Sequence, residues 1–372
     1  MSSNSTHQFP SPIGGIPIPI DFAPSVLFSA LFACLSVILV WRMAHPRSRT
    51  FVLQGTLIFT IERVVAYALR ASTAHSDTLR GNVNLQVYLQ TTLAGGFISI
   101  GQDLLNLVRS LLVGSTMGSD MIRLHSTLTP AHAATKTSDL DLENTSLRDN
   151  SGPSSSSHEV YEDHPRMRMW LRRACGQASI IFLVAVILGI IAGVDYKGAI
   201  DSGAHAMLVR AMMQVSLSSI CISRFLRSIY RYGSAGIGLG LFFLLAGVSV
   251  WALFYVPRVP KMPVVLILIA TFLLSVVTVY RLDVLRFSTT SLSSTAPGSL
   301  NTDGSKAAFY IFHAAPEFLA AAILVCSNAR RTFGTGLWGD RKFKDPSPKA
   351  SVPSKGTSRR CGLVGTLFAL RK

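Results

Sequence analysis

The chain is poor in charge. Of its 372 residues 15% are charged and 49% hydrophobic, with a mean hydropathy of +0.40, where an ordinary soluble domain is roughly 25% charged. A soluble core of this size does not need so much apolar sequence. Acid is scarcer than base, 19 Asp and Glu against 35 Lys and Arg, for a net charge of +16. A nucleic-acid surface would gather that excess on one folded face. Here the bases stand where apolar runs stop, as in anchored and oriented membrane proteins, so no nucleic-acid partner is expected. The first twenty residues hold no Lys or Arg and so lack the charged start of a secretory signal. The five cysteines show no CxxC or Cys/His ligand spacing, which argues against disulfides and zinc. Cys34, Cys175, Cys221 and Cys326 lie in or beside apolar stretches, and only Cys361, after Arg359 and Arg360, is placed like a lipidated surface thiol. A nucleotide loop, a catalytic serine elbow and a paired-carboxylate motif are all missing, so the reading is non-enzymatic and without a cofactor. Period-two alternation is absent too, against a membrane β-barrel.

What is present is a series of seven apolar stretches, at 24–43, 51–71, 85–113, 174–194, 237–256, 264–282 and 307–326. Each matches the ~20 residues that a helix rising 1.5 Å per residue needs to cross ~30 Å of hydrocarbon. The expected fold is all-α, a polytopic membrane bundle of seven transmembrane helices. Arg42, His45, Arg47 and Arg49 fill the first loop while the amino-terminal tail has no Lys or Arg, which puts that tail outside and the loop in the cytosol. Arg166, Arg168, Arg172 and Arg173 before the fourth stretch, and Arg258 with Lys261 after the fifth, then also fall inside. The tail after Cys326 carries Arg330, Arg331, Arg341, Lys342, Lys344, Lys349, Lys355, Arg359, Arg360, Arg371 and Lys372. A cytosolic carboxy terminus demands an odd number of crossings. The segment 204–232 is moderately apolar but interrupted by Arg210, Arg224, Arg227 and Arg231, each costing about 2.5–3.5 kcal/mol at a helix centre. It is read as an amphipathic segment; counted as a span, it makes eight helices and turns the basic tail outward.

The chain thus divides into an extracytosolic tail (1–23), spans one to three (24–113), a cytosolic loop (114–165), spans four to seven (166–327) and a basic cytosolic tail (328–372) that is mostly disordered. The 114–165 loop is rich in Ser, Thr, Asp and Glu and buries too little to offset the entropy of ordering, so it is expected to be disordered. Asn4, in Asn4-Ser5-Thr6, is the glycosylation candidate on the outer side. The localisation is integral to a membrane, plasma membrane or endomembrane.

Ionisable side chains inside spans mark functional candidates, because hydrocarbon solvates charge poorly. The second stretch holds Glu62, Arg63 and Arg70; Arg63, Tyr67 and Arg70 share a face, and Glu62 points about 100° away. In the third, Gln102, Asn106 and Arg109 follow the same spacing, and Asp103 is the expected partner of Arg63. In the seventh, Pro316 removes a helical donor beside His313 and Glu317, which lie one turn apart, making Pro316 the expected hinge. One His and one Glu are too few for a metal.

The stretches Tyr280-Arg-Leu282, Thr289 to Asn301, Lys306 to Glu317 and Phe333-Gly-Thr-Gly-Leu-Trp-Gly-Asp340 resemble the carboxy-terminal signature of fungal multi-span membrane proteins of unknown function. A weaker, local similarity links Glu62 to Arg70 and Phe309 to Pro316 with the fungal lipid-translocating exporter family of aminocholesterol resistance. The resemblance implies a fungal source and, through the second family, seven spans and a lipid-handling role. The expected function is binding or moving an amphipathic ligand, a lipid or sterol, through a polar interior of Glu62, Arg63, Arg70, Asp103, Asn106, Arg109, His313 and Glu317, with membrane lipids as partners. The alternative is a receptor-like or scaffold protein acting through its cytosolic loop and basic tail.

Overall fold

The computed structural model describes residues 8–46, 48–118, 162–201, 233–256, 258–296 and 298–342. Asn4, residues 119–161 of the Ser-rich loop, the 204–232 segment and residues 343–372 of the basic tail lie outside them. The chain divides into two units, 1–340 and 341–372; of the second, only the last two residues of the 3-10 turn Gly339–Lys342 are described.

Each expected span is a helix. In chain order these are α1 (Phe22–Ala44), α2 (Gln54–His75), α3 (Val83–Ser115), α4 (Pro165–Val194), α5 (Gly233–Tyr255), α6 (Lys261–Val284) and a broken last helix. The last is built of α7 (Asp303–Phe309), a π-turn (Tyr310–Ala314) and α8 (Ala315–Cys326). Among the described residues, six of these are long and apolar enough to cross a membrane, and the chain is in this sense a multi-pass membrane protein. The exception is α2, whose three charged residues lower its hydropathy. Among the described residues, sheet is confined to β1 (Phe9–Pro10), paired antiparallel with β2 (Ser288–Thr289).

Helix ends follow local chemistry. Asn82 caps α3 by accepting from the N–H groups of Asn84 (3.0 Å) and Leu85 (3.3 Å), and Thr302 caps α7 through Ser305 N–H. Proline opens α4 at Pro165, where its missing N–H costs nothing. That start lies well before the expected residue 174, so Arg166, Arg168, Arg172 and Arg173 form the first turns of the span itself. In the last helix Pro316 cannot donate, and the turn ahead of it widens: the N–H of Ala315 reaches Tyr310 O, five residues back.

The helices α1 and α2 run antiparallel, with Phe28 stacked on Tyr67 and Phe32 edge-on to Phe59. At the centre stands α3, packed against α2, α4, α5 and α6. Small residues let it approach its neighbours. A Cβ on Gly193 of α4 would lie 2.4 Å from the Cα of Thr91, and one on Gly101 of α3 would meet Phe242 and Phe182 at 2.6 and 2.7 Å.

The two ends of the bundle differ. At one, residues 9–18 fold inward as a cap: Ile13 N–H donates to Gln90 (2.8 Å), Ile16 N–H to Asn301 (2.8 Å), and Tyr196 donates to Pro10 O (2.9 Å). Burial pushes the Tyr196 phenol up. Gly15, at φ +61°, has no room for a side chain, since a Cβ would sit 2.3 Å from Leu300 O. At the other end, Arg42 donates to the carbonyls of Cys326 and Ser327, Arg330 to Pro46 O, and Phe51 N–H to Leu337 O. There Asp163 pairs with Arg168 at 2.7 Å, and that bond holds its carboxyl below the usual range.

Candidate functional site

The eight candidate residues do not converge on one cavity. They separate into a central cluster, a cluster under the cap and one toward the opposite end.

The centre is an ion-paired knot between α2 and the last helix. Arg63 of α2 grips Glu317 of α8 with a two-pronged fork, Nε to Oε2 at 2.8 Å and Nη2 to Oε1 at 3.0 Å. Its Nη1 donates to Glu62 at 3.1 Å and to Thr92 O of α3 at 3.2 Å. The guanidinium lies 4.6 Å from the Phe59 ring centre, and Gly96 makes room for it, since a Cβ there would be 2.9 Å from Nη2. Arg63 and Glu317 are fully buried, so the fork does its work in a low dielectric where a lone charge is expensive. The expected pairing of Asp103 with Arg63 is thus replaced by one between α2 and α8. Asp103 lies nearer the start of α2, accepting from Thr56 N–H at 2.6 Å and its hydroxyl at 2.8 Å.

His313, on the π-turn, is fully buried beside Glu317. Its Nδ1 is 3.5 Å from Glu317 Oε1, but neither ring nitrogen has a hydrogen-bond partner among the described residues. The ring is walled by Phe309 at 5.2 Å and by Tyr280 of α6, edge-on at 6.0 Å. From α6, Arg281 also enters the centre; it donates to Ala94 O at 2.5 Å and lies 4.8 Å from the Phe97 ring centre.

Seven residues further along α2, Arg70 holds the cap. It donates to Gly14 O (2.6 Å), pairs with Asp21 (3.3 Å) and reaches the Tyr310 hydroxyl (3.3 Å) over the face of Phe309. Lys306 of α7 joins it, donating to Gly14 O (2.8 Å) and Ile16 O and pairing with Asp21 at 3.0 Å. Tyr310 in turn shares a hydrogen bond with Ser25 of α1 at 2.8 Å. Two cations on one buried carboxylate thus tie the cap to α1, α2 and the π-turn.

Toward the opposite end, Arg109 pairs with Asp340 at 3.0 Å, and Arg172 of α4 closes on the same carboxylate at 2.8 Å. Asn106, one turn before Ser110, is half-buried and its carbonyl accepts from that hydroxyl.

Sequence reading missed Asp21, Lys306, Arg281, Tyr310 and Asp340. Asp21, Lys306 and Arg281 stand at or near span ends, where charge reads as an interfacial anchor, and Asp340 lies in the tail. Their one signal was position: Asp21 is the sole acid ahead of the first span, and Arg281 falls before the sixth helix ends.

Cavities of about 770, 640 and 990 Å³ lie at the surface of the described residues, and none of the eight residues lines them. The first sits at the capped end, between Phe9, Ile16 and Ile18 of the cap, Asp77 and Arg80 after α2, and the hydroxyl-rich loop Thr290 to Thr295. No family model, curated protein or solved structure matches the chain.

Proposed function

We propose a seven-span membrane protein, with α2 as the seventh crossing, that receives a ligand at its capped end and responds through its broken last helix. In this reading it is receptor-like and not a passage. The observation that carries it is the Arg63–Glu317 fork. The charges expected at the centre of a conduit, Arg63 and Glu317, are instead fully buried and paired with each other, beside a buried His313 and a partly exposed Glu62. From that knot the polar face of α2 leads to Arg70, whose partners Gly14 and Asp21 belong to the cap and the start of α1. Ile16, which lines the 770 Å³ pocket, offers its carbonyl to Lys306 of the last helix. A ligand in the pocket therefore touches the segment that α7 grips.

Two observations support α2 as a crossing. It runs alongside α1, and its exposed side is apolar in the middle: Ile58, Ile61 and Val65 face outward while Arg63 and Arg70 are buried. Support for orientation comes from the ends. Arg42, Arg49, Arg166, Arg173, Arg258, Lys261, Arg330 and Arg331 stand at the uncapped end, which we assign to the cytosol.

The test is lipid translocation by the purified protein in vesicles carrying a fluorescent phospholipid. The receptor-like reading expects the protein-free rate; a clear acceleration overturns it in favour of transport.

A further inference from the structure

A groove of about 990 Å³ lies on the lipid-facing side, between α5, α6 and the π-turn. Phe243 of α5, Phe272, Val276 and Val279 of α6 and Phe312 of the π-turn make its apolar walls. Its α6 wall runs from Leu268 to Asp283, about 22 Å at 1.5 Å per residue, more than the ~15 Å depth of one leaflet. The groove ends in opposite charges, Asp283 and Arg286, at the last turn of α6 and just past it, where hydrocarbon gives way to the cap. This pair is loose: Arg286 Nη1 is 3.7 Å from Asp283 Oδ1, and the side chains are 70% and 61% exposed. That separation is beyond hydrogen-bond range, so each partner is open to a charge of its own.

We infer that this groove is a binding site for a zwitterionic diacyl phospholipid. An acyl chain lies along α6 against Phe272, Val276, Val279 and Phe312. The headgroup phosphate takes charge-assisted hydrogen bonds from Arg286, and its ammonium faces Asp283. An anionic headgroup gains Arg286 but meets Asp283 as a repulsion, and a sterol hydroxyl uses neither charge fully. The occupant also has a structural consequence. Phe312 belongs to the π-turn, and Tyr280, at the groove wall, packs edge-on against the ring of His313, whose nitrogens have no hydrogen-bond partner among the described residues. A lipid seated here therefore bears on the widened turn from the membrane side. The inference does not rest on the receptor-like reading, and the translocation assay leaves it untouched.

The test uses the full-length protein in phosphatidylcholine nanodiscs doped with phosphatidylcholine carrying a photoreactive group in its acyl chain, with adducts mapped by mass spectrometry. Adducts should concentrate on Phe272, Val276, Val279 and Phe312. Filling the groove with Val276→Trp should lower them about five-fold, leaving adducts on the outward side of α1, around Val37, unchanged. Unlabelled phosphatidylcholine should compete better than phosphatidylglycerol or a sterol. Adducts spread evenly over all lipid-facing helices overturn the site, and equal competition by phosphatidylglycerol overturns the headgroup assignment. Should Val276→Trp not fold, Asp283→Asn, on an exposed side chain, decides instead: it should abolish the preference for phosphatidylcholine over phosphatidylglycerol, and an unchanged preference contradicts the inference.

Discussion

Two helices of nearly equal length, α2 and α5, meet the membrane in opposite ways. No charged residue interrupts α5, and it exposes Phe243, Leu244, Val250 and Phe254. Charges interrupt α2, yet the residues it shows outward, Ile58, Ile61 and Val65, are as apolar as those of α5. Apart from the partly exposed Glu62, the difference lies on the inward side, where α5 packs by shape and α2 packs by charge. Mean hydropathy therefore ranks the two far apart, while what lipid would touch is alike. The lesson is that a span is defined by its outer stripe, and that the inner stripe is free to carry the polar chemistry that makes a bundle specific.

The contrast can be broken first at the knot. Replacing Glu317 by Leu leaves Arg63 buried with only Glu62, and should cost about 3–5 kcal/mol, read by thermal unfolding of the purified protein. The double variant Arg63→Met/Glu317→Leu should recover most of that loss, because it removes both buried charges. The outer stripe is tested by Ile61→Lys, which should cost about 2.5–3.5 kcal/mol of insertion on a glycosylation-based insertion assay if α2 lies in lipid, and almost nothing if its exposed side faces water. Packing by shape is tested at Gly193→Ala, whose Cβ would run into the backbone of Thr91. A loss of about 1–3 kcal/mol in thermal unfolding is expected.

The smallest effect is a pH dependence outside the spans. The Arg168 bond depresses Asp163 in the folded state, so its contribution is complete above the usual carboxylate value of 3.8 and fades as pH falls through the lower folded value. Asp163→Asn should lower the melting temperature slightly in the neutral range and flatten that acid limb, so that variant and parent converge at low pH.

Much of the bundle was legible in the chain. Length and apolarity located each helix to within about a turn, except at α4, where arginines placed just before the span proved helical because Pro165 starts the helix ahead of them. The spacing of Arg63, Tyr67 and Arg70 announced one face, and that face is buried. Pro316 announced a break, which takes the form of a π-turn. Partnership was not legible. Arg63 meets Glu317 across 254 positions and Arg109 meets Asp340 across 231, and periodicity along one helix carries no information about which helix lies opposite. Asp21 and Lys306 were hidden for a different reason: charge at a span end reads as an anchor whether it faces water or a folded cap.

The central claim is that α2 crosses the membrane with its charges turned inward, and its two ends decide it. In a cysteine-free background, Gln54→Cys and His75→Cys, both exposed at opposite ends of the helix, are labelled with a membrane-impermeant maleimide in sealed vesicles of known orientation. The account predicts reaction from opposite sides, His75→Cys from outside and Gln54→Cys only once the cytosolic face is opened. Reaction of both from the same side would contradict it.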